Sequence, residues 1–174
     1  MTNRMTFKEP MNSVRLVLGE IISAWKDEDI SRQFWNDFES ECVMGYRLPA
    51  FQRPPKWTPA QNVALIESLY DGLDIGYYVI SQNSNPQYDG FLLDGQQRLR
   101  ALQSYFQDEF KVQGLHWSEV DKADQRFFKM LTFSRVESTD NDFEVMKRFY
   151  DRLNFSGTPH EEHERALPLK SPTP

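Results

Sequence analysis

Hydrophobic positions recur at helical spacing in the first part of the chain and are then interrupted by prolines. An amphipathic helix is predicted from six apolar residues that share one helical face: Val14, Val17, Leu18, Ile21, Ile22 and Trp25. A second short helix is predicted within residues 30–38, whereas three prolines between residues 49 and 55 favour an extended segment. Residues 58–61 (TPAQ) form a capping box, which predicts a helix that runs to about Asp71 and ends at Gly72.

Shorter apolar runs in the middle of the chain predict strands. Residues 77–80 and 90–93 form two such runs, and a polar loop separates them. The second run leads directly into an apolar helix that extends to about Phe106.

The last third of the chain alternates between helix and strand. Ser118 is expected to cap a helix that runs through Phe128, and residues 131–136 to form a further strand. Thr139 or Asp140 is expected to cap a final long helix. The apolar face of that helix consists of Phe143, Met146, Phe149, Tyr150 and Leu153. This succession of elements predicts a single α/β domain.

The composition is that of one folded domain in a reducing compartment. The 174 residues, 39% hydrophobic and 14% aromatic, are enough for one core and exclude a disordered chain. Cys42 is the only cysteine, which excludes an intramolecular disulfide framework and a zinc site built on several thiolates. The sequence has neither a signal-peptide pattern nor a run of about 18 apolar residues. We therefore expect a cytoplasmic protein with no membrane partner.

Charge is unevenly distributed along the chain. The net charge is −6, which disfavours binding to bulk duplex DNA. Residues 43–66 contain no acidic side chain but carry Arg47, Arg53 and Lys56. If this segment folds beside Arg98 and Arg100, it forms a local basic pocket, and such a pocket suits a small phosphate ligand better than a long duplex.

The stretch FLLDGQQRLRAL joins a predicted strand to a predicted helix and concentrates polar groups at the junction. Gly95 lets backbone N–H groups approach an anion at the start of the helix, and Arg98 can grip a phosphate. Asp94 would repel that phosphate unless a divalent metal bridged the two. Gln96 and Gln97 can orient a water molecule or bind the edge of a base.

The same junction has a purely structural interpretation. Asp94 as helix N-cap, with Gln97 three residues later, makes a second capping box, and Arg98 can pair with a nearby acid. The spacing alone leaves both interpretations open.

Three further features also have two interpretations. Trp57 could stack on a base or anchor the core at the start of a helix, and Asn154 could contact a ligand or end a helix. His160 and His163 could bind zinc, but they are three residues apart where the zincin pattern requires four. That spacing favours a solvated helical turn.

The order of these motifs resembles the DGQQR-motif family, the N-terminal domain of GmrSD-type modification-dependent restriction proteins, within the ParB/sulfiredoxin-like superfamily. The DGQQR signature is present without change at residues 94–98. Three other family elements match between residues 46 and 160: Gln52, Arg53 and Trp57; Gly72, Ile75 and Gly76; Arg152, Leu153, Asn154, Gly157 and Pro159. The chain departs from the family pattern at Asp74, Tyr150 and His160.

The resemblance implies a fold and its division. It implies a ParB/sulfiredoxin-like mixed sheet flanked by helices, with an N-terminal helical addition. We expect a helical segment at 1–42, the DGQQR domain at 43–167 and a proline-rich tail at 168–174.

The resemblance also implies a function. It implies binding and hydrolysis of a nucleoside triphosphate with Mg²⁺, in bacterial or phage defence or counter-defence. Asp94 would hold the metal and, with Gln97, act in catalysis. The expected nucleotide contacts are Gly95, Gln96, Arg98, Arg53, Lys56 and Asn154.

Two rival functions stay open. One is a metal-dependent DNA nickase or nuclease that uses the same pocket, although family members that cut DNA commonly carry a separate HNH nuclease domain, and no histidine here lies in such a pattern. The other is a non-catalytic interaction protein derived from the family. DNA, a defence-system protein or a second copy of the chain are the remaining candidate partners.

Overall fold

The structure is a computed structural model that describes residues 12–26, 41–52, 54–139 and 142–155. The strands in chain order are β1 (Asn12–Val17), β2 (Cys42–Val43), β3 (Tyr46–Arg47), β4 (Tyr77–Ser81), β5 (Leu92–Asp94) and β6 (Thr132–Ser138). The helices are α1 (Leu18–Lys26), α2 (Pro59–Tyr70), α3 (Gln96–Phe106), α4 (Lys122–Met130) and α5 (Phe143–Phe155), with a 3-10 turn at Trp117–Glu119. Among the described residues, no helix is long and apolar enough to cross a membrane.

A mixed four-stranded sheet organises these elements. The strand order is β1-β6-β4-β5; β6 pairs parallel with β4, and the two outer pairs are antiparallel. Strands β2 and β3 form a separate short hairpin. The predicted mixed α/β architecture is therefore confirmed, whereas its assignment to the ParB/sulfiredoxin-like type stays a prediction, as do the domain boundaries.

Helices cover both faces of the sheet, which explains why β4 carries apolar residues on both of its faces. Side chains alternate across a strand, so Tyr78 and Val79 on β4 face opposite sides. Tyr78 belongs to the larger core cluster with residues of α1, α2, α3 and α4. Val79 packs with Leu93 and with Met146 of α5 in the smaller cluster. Strands buried on both faces are apolar along their whole length.

The N-terminal prediction was partly wrong. Val14 and Val17 lie in β1, and α1 begins only at Leu18. The segment pairs with β6 residue by residue, from Asn12 opposite Glu137 to Val17 opposite Thr132, so its backbone hydrogen bonds come from a distant strand. The N-terminal region thus contributes a strand to the sheet as well as a helix. The helix predicted within residues 30–38 lies outside the described residues.

The middle of the chain agrees with the predictions. Both hydrogen bonds of the capping box at Thr58 and Gln61 are present, and α2 ends before Gly72, whose φ is +74°. The two predicted strands and the end of α3 at Phe106 also agree.

Two predicted helix caps compare differently with the structure. Asp121, not Ser118, caps α4 by accepting a hydrogen bond from Ala123 N at 2.7 Å. Ser118 lies in the 3-10 turn, where its N–H donates to the Asp108 carboxylate. At the start of α5, Asp142 accepts from Glu144 N at 2.8 Å; of the two residues predicted to cap this helix, Asp140 lies outside the described residues. Each cap is an aspartate immediately before the helix, where its short carboxylate reaches the first N–H groups.

Candidate functional site

The junction between β5 and α3 is a tight turn that requires glycine. Gly95 lies between the two elements with φ +91°, and a Cβ built there would lie 2.5 Å from Cβ of Tyr78. Any side chain at this position would therefore collide with β4 as well as strain the backbone. The turn consequently brings the first residues of α3 directly onto the sheet.

Tyr78, on which the turn rests, belongs to a buried polar chain. Its hydroxyl lies 3.0 Å from that of Tyr46, and Arg135 Nη1 donates to the Tyr46 hydroxyl at 3.4 Å. Burial raises the pKa of Tyr78 above the ordinary tyrosine value. The phenol therefore stays neutral and serves as a structural platform.

The capping-box interpretation of the motif was wrong. Gly95 is the N-cap of α3 and makes no side-chain cap hydrogen bond. Asp94 is the last residue of β5, and its Oδ2 accepts from Nη2 of Arg98 at 3.3 Å. The left-handed turn at Gly95 takes the place that a capping side chain would need.

Arg98 joins the motif to the approach to β4. Its Nη1 donates to the backbone carbonyl of Ile75 at 2.9 Å, and its guanidinium lies 5.9 Å from the ring centroid of Phe133. A Cβ at Gly76 would lie 2.9 Å from the same Nη1, so this glycine lets the arginine pass. The predicted pairing of Arg98 with a nearby acid is thus confirmed as the contact with Asp94. Two hydrogen bonds leave part of the guanidinium's donor capacity for a ligand.

Gln97 connects the proline-rich segment to α3. Its Oε1 accepts from the backbone N–H groups of Lys56, at 3.2 Å, and Trp57, at 3.3 Å. This contact brings two family elements, distant in sequence, to one place.

A cleft of about 360 Å³ opens between these two elements. The described residues that line it are Gln52, Trp57, Asp94, Gly95, Gln96, Gln97 and Arg98. The volume lies in the range of small-molecule sites, roughly 300–1,000 Å³. The whole DGQQR signature therefore faces one ligand-sized space.

A family comparison bears directly on this cleft. A family model described as GmrSD restriction endonuclease, N-terminal domain, matches residues 32–166. The chain belongs to this family. No curated protein and no solved structure matches the chain. The resemblance to GmrSD N-terminal domains is confirmed, and the matched range contains all the described residues that line the cleft.

Two of the four arginines that were expected to form a basic pocket, Arg47 and Arg100, do not line the cleft. Arg47 is buried, lies over the Phe91 ring at 4.6 Å and donates to the carbonyl of Pro86. Arg100 forms an ion pair with Glu41. These contacts hold both side chains outside the described lining of the cleft. The charged groups of the described lining are Asp94 and Arg98, which pair with each other.

The remaining site residues are placed only in part. Lys56 has an exposed side chain beside the cleft, and its backbone bonds to Gln97. Asn154 lies near the C-terminal end of α5. Arg53, His160 and His163 lie outside the described residues.

The structure corrects the sequence analysis at two residues of the proline-rich segment. Trp57 is half-buried and belongs to neither apolar cluster, so the core-anchor interpretation was wrong. Gln52 was not predicted as a site residue, although it lines the cleft. Its place in the QR…W element of the GmrSD family was the available signal.

The donor set of the cleft fits Mg²⁺ that arrives with a nucleotide. No group of three or more His, Cys, Asp and Glu residues that could hold a metal occurs in the described part of the chain. Asp94 is the one carboxylate in the described lining, and its side chain is 29% exposed. Mg²⁺ is commonly held by one or two carboxylates, substrate phosphates and water. A single accessible aspartate meets that requirement.

Proposed function

We propose that the cleft binds a nucleoside triphosphate with Mg²⁺ and hydrolyses it. The observation that carries this proposal is the N-terminus of α3, which lies in the cleft without a side-chain cap and beside Arg98. Uncapped backbone N–H groups and the helix dipole favour an anion at this position. Arg98 adds a planar set of donors suited to phosphate oxygens.

The other motif residues have compatible chemistry. Asp94 would hold the metal, and the metal would polarise the phosphate and neutralise its charge. Because the Gln97 oxygen already accepts from two backbone N–H groups, its amide NH₂ is the group that would orient a water molecule or a phosphate oxygen. Gln96, Lys56, Arg53 and Asn154 complete the proposed nucleotide contacts.

Family membership supports a wider context. We place the domain in the ParB/sulfiredoxin-like superfamily and in bacterial or phage defence or counter-defence, in the cytoplasm, because the matching family consists of restriction endonuclease domains. DNA, a defence-system protein or a second copy of the chain are the proposed macromolecular partners.

Thermal unfolding with each nucleoside triphosphate and Mg²⁺ tests the binding step. A ligand that binds only the folded state stabilises it by about 2.7 kcal/mol at a hundredfold excess over Kd. We expect stabilisation of the native protein and release of inorganic phosphate in the absence of DNA. If no triphosphate raises the unfolding temperature, the proposal is wrong.

A nuclease is the second candidate, because the family description names a restriction endonuclease. Two-metal cleavage generally needs several acids to hold ions about 3.5–4 Å apart, and Asp94 is the one acid in the described cleft lining. We therefore expect no rapid linearisation of plasmid with Mg²⁺ or Mn²⁺, with or without nucleotide. Rapid linearisation that is lost in Asp94→Ala would establish the nuclease instead, and a chain with neither activity would be the non-catalytic interaction protein.

A further inference from the structure

One polar group in the cleft has no partner. Asp94, Gln97 and Arg98 all form hydrogen bonds with other parts of the protein. The side-chain oxygen of Gln52 does not: this Oε1 is buried, and no hydrogen bond to it comes from the described residues. Buried polar atoms are almost always hydrogen-bonded, so an unsatisfied acceptor in a ligand-sized cleft points to a donor on the ligand.

The backbone holds Gln52 in place. Its own N–H donates to the carbonyl of Pro49 at 2.8 Å, which closes a turn. The preceding residue, Phe51, packs its ring against Phe143 and Tyr150 of α5, at centroid distances of 5.9 and 5.0 Å. A side chain whose backbone is held by this turn and by the packing of Phe51 is preorganised for recognition, because little conformational freedom is lost on binding.

The second unused group is the indole of Trp57. It is half-buried, lines the cleft and makes no ring contact or cation–π contact within the described part of the chain. Its backbone is held by Gln97 on one side and by the α2 capping box that follows it. An accessible aromatic face on a fixed backbone is suited to stacking with a nucleobase.

The cleft therefore has two chemically different parts. The junction provides Gly95, Arg98 and the helix N-terminus, which suit phosphates, whereas the segment that precedes α2 provides an amide and an indole, which suit a base. Both parts line one space of about 360 Å³.

We infer that Gln52 and Trp57 form the base-binding part of the cleft and that they select a base with an amino group beside a ring nitrogen acceptor. This inference rests on the proposed nucleotide function. The buried Gln52 oxygen requires an N–H donor from the base, and the same amide offers an NH₂ donor in return. Adenine and cytosine each present an amino group beside a ring nitrogen acceptor, which an amide side chain can bind with two hydrogen bonds. Trp57 contributes stacking that any base can use.

The test compares ATP with purine ribonucleoside triphosphate, which lacks only the 6-amino group. The native protein should bind ATP more tightly by roughly tenfold, the size of one two-bond amide–adenine contact. Gln52→Leu should remove the preference, so that the ratio of the ATP and analogue affinities falls to about one. Gln82→Leu is the matched control, because Gln82 is exposed and does not line the cleft.

A second pair of variants tests the indole. Trp57→Ala should weaken both nucleotides by a similar factor, and Trp57→Phe should retain most of the affinity. Gln52→Met keeps a similar side-chain volume without the amide and serves if the leucine variant unfolds, in which case the ratio of the two affinities should again fall to about one.

The outcomes separate the two proposals. Equal affinities of the native protein for ATP and the analogue, or a ratio that Gln52→Leu leaves unchanged, overturn the inference and leave the proposed function standing. If no triphosphate binds the native protein, the proposed function fails, and the inference fails with it.

Discussion

The two ends of helix α3 differ in how their side chains are used. At the C-terminal end, Tyr105 and Phe106 are at most 8% exposed and pack against Trp117 and Phe128, with centroid distances between 5.0 and 6.0 Å. The Tyr105 hydroxyl lies 3.0 Å from that of Tyr70. The aromatic side chains at this end therefore have partners within the protein.

The N-terminal end is built differently. Asp94 and Arg98 have side chains 29% and 22% exposed, the helix lacks a side-chain cap, and the nearby Gln52 oxygen is unsatisfied. A helix cap and a hydrogen-bond partner are missing at this end, whereas the other end is closely packed. Unmet hydrogen-bonding capacity beside a cleft is what the proposed ligand site requires.

The largest expected effect is at the packed end. Phe128→Ala removes a fully buried ring that contacts four other aromatic side chains. We expect a loss of about 3–5 kcal/mol in the free energy of unfolding, measured by urea denaturation. Phe127→Ala is the matched control, because the Phe127 ring is 64% exposed and its removal should change the free energy of unfolding by less than about 0.5 kcal/mol. Similar losses in both variants would contradict this account of the core.

Gly95→Ala should have the next largest effect. It places a Cβ 2.5 Å from that of Tyr78 at a φ of +91°, so conformational strain and overpacking together should lower stability by about 2–4 kcal/mol. Gly114 has a φ of +83° but no atom within 4 Å of an added Cβ. Gly114→Ala should therefore show the conformational cost alone, about 1–2 kcal/mol. Equal costs in the two variants would mean that the turn does not rest on β4 as described.

Arg98→Ala should separate binding from stability. Its loss removes the contacts with Asp94 and the Ile75 carbonyl, which we expect to lower stability by about 1–2 kcal/mol. Nucleoside triphosphate binding, measured by calorimetry below the unfolding transition, should be abolished. Arg100→Ala, two residues along the same helix, removes a surface pair with Glu41 and should cost less than about 1 kcal/mol. Unchanged nucleotide binding in Arg98→Ala would assign this arginine a structural role only.

The smallest effect concerns Asp108, just beyond the packed end. The Ser118 N–H donates to its carboxylate at 2.8 Å, and this hydrogen bond lowers the pKa of Asp108 below its ordinary value of 3.8. A lowered pKa in the folded state contributes stability above the unfolded value, and this contribution is lost as the pH falls through the folded value. Asp108→Asn should therefore be slightly less stable than the native protein at neutral pH, and the difference should shrink below pH 3.8. Urea midpoints across that range measure it, with Glu109→Gln as the neighbouring control. A difference that grows on acidification would contradict the assignment.

The sequence predicted the motif of the site but not the contacts of that motif. It predicted the strand–glycine–helix turn and the family signature at residues 94–98, because each depends on residues within a few positions of one another. The partners of those residues were not predicted: Arg98 bonds to Ile75, and Gln97 accepts from Lys56 and Trp57. Such contacts depend on how separate elements pack, and hydrophobic spacing carries no information about them.

The sequence by itself determined the local elements. The α2 capping box, the buried strands β4 and β5 and the apolar face of α5 follow from contacts within one or two turns or from side-chain alternation. Only the tertiary structure decided that Asn12–Val17 is a strand, because its hydrogen-bond partners lie in β6. The tertiary structure likewise decided that Arg47 contacts Phe91 and the Pro86 carbonyl instead of lining the cleft. The physical reason is the same in each case: a backbone or side-chain polar group takes the partner that folding brings to it, and that partner lies far away in the sequence.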